Sequence, residues 1–99
     1  MTRFFLTEAA RADLKEIGHY TKSRWGRVQR DKYLVALDDS FKALAQSPQS
    51  GVECDDIRAG YRKRRSGSHV IFYRVLERET VEIVRILHGN MEPEHYLPE

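Results

Sequence analysis

The sequence predicts an α+β fold in which an antiparallel helical hairpin packs on an antiparallel β-sheet, and three observations carry that prediction. Residues 57–89 are rich in β-branched and aromatic side chains and break into three strand-like runs. Two segments with apolar residues at helical spacing lie ahead of them, separated by one glycine. A short apolar run, Phe4-Phe5-Leu6, precedes both and reads as an N-terminal strand. The order is β-α-α-β-β-β, read as a single domain over residues 1–99.

Thr7 follows the first strand as a good N-cap, with Glu8 in the first turn where the helix dipole favours an acid. The first helical stripe is Ala10, Leu14, Ile17 and then Tyr20 or Thr21, with Arg11, Lys15, Glu16 and Lys22 on the other side. Gly26, just after Trp25, suits the position that ends a helix. The second helix is expected over 27–47, with the stripe Tyr33/Leu34, Leu37, Phe41 and Leu44. Asp38 and Lys42 stand four apart in the favourable order, and Pro48 stops the helix. A one-residue connection makes the two helices an αα-hairpin. Neither stripe is wide enough to be buried by the other helix alone, so both are expected to pack on the sheet. Residues 48–56 read as a polar loop.

The strand runs are expected at 58–65, 69–76 and 80–87, split by Ser66-Gly67-Ser68 and Glu77-Arg78-Glu79. The last two are apolar beyond simple alternation, as central strands are. Leu37, Phe41 and Leu44 are expected to share one core with Phe72, Val75, Ile83 and Ile86. Arg62, Lys63, Arg64 and Arg65 crowd both faces of the first run. They fit either a solvated edge strand or a surface for an acidic partner. Arg74 and Arg85 each interrupt a central strand, where a charge needs a partner or an open cleft. Residues 90–99, with Pro93 and Pro98, read as a single turn or an accessible extended tail.

Residues 1–56 carry nine Lys/Arg and nine Asp/Glu, residues 57–88 eight and three, and residues 89–99 none and three. The strand segment is therefore locally positive, which favours an acidic protein segment or phosphates. Cys54 is the only cysteine, so neither an internal disulfide nor a cysteine-based zinc site can form. No apolar run reaches transmembrane length and no secretory leader precedes the first strand, so a cytoplasmic location is expected. There is no P-loop, HExxH or GxSxG motif. His19, His69, His88 and His95 lack metal-ligand spacing, and His19 reads as a polar-face helix residue. No metal, cofactor or catalytic residue is assigned. His88, before the turn at Gly89, has two readings: a group titrating near neutral pH, or a packed residue bonded to a carbonyl.

The TEAARADLKEI helix, the second helix ending in Ser-Pro, IRAGYRKRRSGSHVIFYRV and VEIVRILHG with its short tail together resemble the ParE/RelE superfamily of small bacterial toxins, and its ParE branch most. The resemblance implies a RelE/ParE-like fold and a toxin of a type II toxin–antitoxin module, of the kind linked to plasmid or genome stabilisation. It implies a complex with a ParD-like antitoxin and inhibition of DNA gyrase, without enzymatic activity or membrane contact. RelE-type members instead cut mRNA on the ribosome with arginines and a C-terminal aromatic. By this resemblance their arginine positions fall near His69 and near Asn90 or Met91, and the aromatic at Tyr96, with Arg62 and Arg64 as candidates to stand in for their basic pair. Losing both arginines favours the gyrase inhibitor over the endoribonuclease. A non-toxic relative that only binds antitoxin is the third reading. On the preferred reading Arg85, His88, Asn90, Met91, His95 and Tyr96 contact the target. Trp25, Leu34, Arg62, Lys63, Arg64 and Arg65 contact the antitoxin.

Overall fold

In a computed structural model, which describes residues 3–98, strand β1 (Phe4–Leu6) leads into helix α1 (Glu8–Trp25), and helix α2 (Arg27–Gln46) follows one residue later. The Thr7 hydroxyl accepts the Ala10 N–H at 3.1 Å and donates to the Val84 carbonyl at 2.8 Å. The residue that caps α1 thus also fastens it to the sheet. Gly26 joins the helices at φ 89°, where a side chain would be strained. Of the two candidates that end the first stripe, Thr21 is buried, its hydroxyl donating to Ile17 O at 2.7 Å, and Tyr20 is exposed.

Strands β2 (Val52–Glu53), β3 (Arg62–Ser66), β4 (His69–Val75) and β5 (Val81–His88) complete a five-stranded sheet of order β1-β5-β4-β3-β2. The β2–β3, β3–β4 and β4–β5 pairs are antiparallel, whereas β1 lies parallel to β5. Short turns dictate antiparallel pairing, but β1 reaches β5 only through the whole intervening chain, so no turn sets its direction. The segment 48–56, expected as loop, supplies β2. The first strand run begins later than expected because residues 54–61 fold into turns, with the Ile57 and Arg58 N–H groups donating to Cys54 O. β3 is therefore flanked by β2 and is not the edge strand its charge suggested.

Both faces of the sheet are covered. Against the hairpin lie Ile71, Tyr73, Val81, Ile83 and Ile86, meeting Ala10, Ile17, Leu37, Phe41 and Leu44, with Val75 partly buried beside them. On the other face Phe72, Val84 and Leu87 pack with Cys54, Tyr61 and Leu97. Phe72, expected in the hairpin core, belongs to this second cluster, because strand side chains alternate and its neighbours Ile71 and Tyr73 take the hairpin side. Ile83 and Ile86, three apart, share a face only through a bulge. Phe72 pairs with Arg85 and Tyr73 with Ile83, which leaves Val84 as the extra residue.

The β4–β5 turn holds Arg78 at φ 58° and Glu79 at φ 55°, a left-handed conformation that costs a non-glycine residue about 1 kcal/mol or more. Arg78→Gly is expected to raise stability by about 0.5–1 kcal/mol, read as a shift in the urea midpoint at constant slope.

Candidate functional site

Strand β1 covers β5 only along Val81–Ile83, and beyond it α1 takes over the edge. Thr7 N–H donates to Ile83 O at 3.0 Å, and Asp13 Oδ2 accepts the Ile86 N–H, also at 3.0 Å. The same Asp13 carboxylate grips Arg85 in a fork, each of its oxygens taking a guanidinium N–H at 2.7 Å. Arg85 and Asp13 side chains retain only 20% and 13% of their exposure, so most of the water that would weaken the pair is excluded. The hydrogen bond to Asp13 raises the Arg85 pKa further, against the opposing effect of burial. The Arg85 guanidinium also lies over the Tyr96 ring, 5.4 Å from its centre. Arg74, the second charge in a central strand, is paired across the ladder with Glu82 at 2.6 Å and sits 5.1 Å over the Tyr61 ring. Both charges found partners in the fold.

Next to the Asp13–Arg85 pair, a groove of about 1020 Å³ opens between the hairpin and the ends of β4 and β5. Tyr20, Trp25, Tyr33, His69, His88 and Met91 give it an aromatic and apolar wall, with Asp13 and Glu16 as its acids. Tyr33 organises the floor. Its phenol oxygen accepts the Ser68 N–H at 2.9 Å and lies 2.6 Å from His69 Nδ1. Gly67 makes this possible: it turns at φ 60°, and a Cβ there would stand 2.6 Å from the Tyr33 oxygen. His69 packs edge-on against His88, ring centres 5.5 Å apart, and the Asn90 N–H donates to His88 Nδ1 at 3.2 Å. His88 is thus exposed and bonded to a backbone N–H, unlike the packed, carbonyl-bonded reading.

Burial lowers the His69 pKa, the His88 charge lowers it further, and Asp13 opposes both. The ring is therefore held toward its neutral form, hydrogen-bonded to the Tyr33 oxygen through Nδ1. A base with a depressed folded pKa stabilises the fold above its unfolded value and loses that contribution as pH falls. Stability is expected to drop as pH falls below about 6.5 toward the folded pKa. In His69→Gln this part of the pH dependence should flatten, which urea titrations at stepped pH values will show.

The groove gathers Trp25, His88 and Met91, which the sequence had assigned to two separate surfaces. It leaves out the other assigned residues. Leu34 is partly buried against the hairpin core. Arg62 is tied to β2 and the segment before it, donating to Gly51 O at 2.7 Å and Gln49 O at 3.1 Å and pairing with Glu53. Strand alternation sends Arg62 and Arg64 to the face of Tyr73 and Ile71, and Lys63 and Arg65 to that of Phe72 and Val70, so the four do not form one basic edge. Lys63, Arg64 and Arg65 line a smaller groove of about 490 Å³ with Phe72, His88 and Met91.

The tail is anchored near its end but exposed along most of its length. Leu97 is buried, Arg58 donates to the Glu94 and Leu97 carbonyls at 2.8 and 3.3 Å, and the Tyr61 hydroxyl donates to Pro98 O at 2.7 Å. An apolar residue between two prolines gave too weak a signal to predict this. His95 pairs with Glu92 at the surface and Tyr96 is 40% exposed. Asp13, Tyr20, Gln29 and Tyr33 are groove residues that sequence reasoning missed. The one available signal was Tyr33, doubled with Leu34 at a single stripe position.

Residues 4–93 match the family described as ParE toxin of type II toxin-antitoxin system, parDE. The chain is 43% identical over 96 residues to Toxin ParE1 of Mycobacterium tuberculosis, covering 97% of this chain and 98% of that one. It is 41% identical over 97 residues to Toxin ParE1 of Caulobacter vibrioides, covering 98% and 99%. Among solved structures, a chain of the chromosomal ParDE system from P. aeruginosa superposes with a TM-score of 0.76 at 21% identity, covering 89% of this chain and 96% of that chain. A chain of the RelBE2 toxin–antitoxin complex from Mycobacterium tuberculosis superposes with a TM-score of 0.59 at 23% identity, over 88% and 96%. These two likenesses describe the fold.

Proposed function

The chain belongs to the ParE toxin family of type II toxin–antitoxin systems, and from that premise we propose that it inhibits DNA gyrase by surface contact and is neutralised in the cytoplasm by a ParD-like antitoxin. The observation that carries the choice of target is the state of the cationic groups around the groove. A nuclease of the RelE type needs free positive charge on the scissile phosphate. Here Arg85 is held in a fork by Asp13, and His69, at one nuclease arginine position, is held toward its neutral form. Asn90 and Met91 occupy the other position. The exposed corner of His88, Asn90, His95 and Tyr96, with half-buried Met91, is the target surface on this reading, and Arg85 braces it from behind.

The antitoxin is assigned to the large groove and the strand beside it. Trp25 and Tyr20 stand at the groove, 67% and 60% exposed, as apolar anchors, and Lys63, Arg64 and Arg65 offer charge to acidic residues. A segment that folds as it binds would span both, giving a hetero-oligomer.

Two assays on the purified chain test the proposal: gyrase supercoiling and cleavage, and integrity of mRNA on translating ribosomes. Blocked supercoiling with intact mRNA supports it. Cut mRNA with gyrase untouched replaces it with the endoribonuclease. No effect in either assay, with antitoxin still bound, identifies a non-toxic relative.

A further inference from the structure

The tip of the hairpin carries charge that the fold uses only in part. Residues 22–30, KSRWGRVQR, hold four basic side chains and no acidic one. Lys22, Arg24 and Arg27 are exposed, and none has an ion-pair partner among the described residues. Arg30 pairs with Asp31 at 3.0 Å. Lys22 and Arg24 close α1, where the dipole welcomes cations, but Arg27 and Arg30 stand at the opening of α2, where it disfavours them. The first turn of α2 contains no acidic residue, and no side chain caps it. Arg27, set against the dipole with no ion-pair partner among the described residues, breaks a local rule and points to a function outside the fold.

The aromatic residues at the same place narrow the partner. Trp25, the only tryptophan, is 67% exposed between Arg24 and Arg27. Tyr20 is 60% exposed, with the Arg24 guanidinium 5.7 Å from its ring centre. Unpaired cations flanking an open indole match single-stranded nucleic acid, whose phosphates meet the charges and whose unstacked bases lie on the ring. A duplex hides its base faces, whereas a single strand offers both phosphates for the charges and open bases for the ring. We propose that the hairpin tip binds single-stranded nucleic acid, with Lys22, Arg24 and Arg27 on phosphates and Trp25 stacked on a base. Trp25 and Tyr20 also line the large groove, so a groove occupant competes with the strand for these side chains. The inference is independent of the choice between gyrase and ribosome.

The test uses the full chain and a labelled oligothymidylate about 20 nucleotides long, followed by anisotropy and by quenching of Trp25 fluorescence. Binding should quench the indole and weaken with salt, the log–log slope falling by about 0.7 for each tip charge removed. Trp25→Ala is expected to weaken binding about tenfold at fixed salt. The triple variant Lys22→Gln, Arg24→Gln, Arg27→Gln should lower affinity further and flatten the slope. All four side chains are exposed, so the variants are expected to stay folded, which circular dichroism will check. Absence of binding overturns the proposal. So does binding that both variants leave unchanged, which would move the site to the arginines of β3. Quenching by a poly-glutamate peptide with none by the oligonucleotide also overturns it, in favour of an acidic protein partner.

Discussion

Phe41→Ala is expected to destabilise the protein by about 3–5 kcal/mol. The ring is 2% exposed in the core between hairpin and sheet, where its centre lies 5.8 Å from that of Phe4. Removing it forfeits the transfer energy of a large side chain and leaves a cavity that α2 and β1 can only partly close. A domain of this size has about 5–15 kcal/mol in all, so the loss takes a large share. The measurement is the urea midpoint with the slope held constant. An unchanged midpoint would remove Phe41 from the core.

Asp13→Ala is expected to cost about 2–3 kcal/mol, below the 3–5 kcal/mol of a fully buried pair because some water reaches this one. The substitution leaves the Arg85 guanidinium without its fork and the Ile86 N–H without an acceptor. Asp13→Asn keeps an oxygen for one of these donors and should fall between. Asp13→Ala with Arg85→Leu separates the two contributions. The double variant should recover part of the loss, since no unpaired charge remains, while the strand N–H stays unmet. Double-variant stability equal to the sum of the single losses would show that Arg85 and Asp13 are not coupled.

Much of the architecture could be read locally. Helical spacing of Leu37, Phe41 and Leu44, the Thr7 cap, the Gly26 joint and the Pro48 stop are properties of short stretches, and the helices lie within one residue of the expected bounds. The β-branched runs before and after Glu77-Arg78-Glu79 likewise declared two central strands. The ParE likeness was legible because it rests on such contiguous motifs. It carried the fold class, but could not say which residues line the groove.

What only the tertiary structure decided depends on residues distant in the chain. Strand period alone cannot place Ile83 and Ile86 on one face, since the Val84 bulge arises from pairing with β4. Cys54, Tyr61 and Leu97 have no periodic pattern, yet they cover the second face of the sheet because its apolar side chains must be shielded from water. Arg85 in an apolar strand announced that it needed a partner, and its position could say no more. Only the docking of α1 along the free edge of β5 brings Asp13, 72 residues away, to both the guanidinium and the strand N–H. Charge and apolar spacing act along the chain and can be read there. The partner of a buried charge is a matter of distance in space, and folding alone sets it.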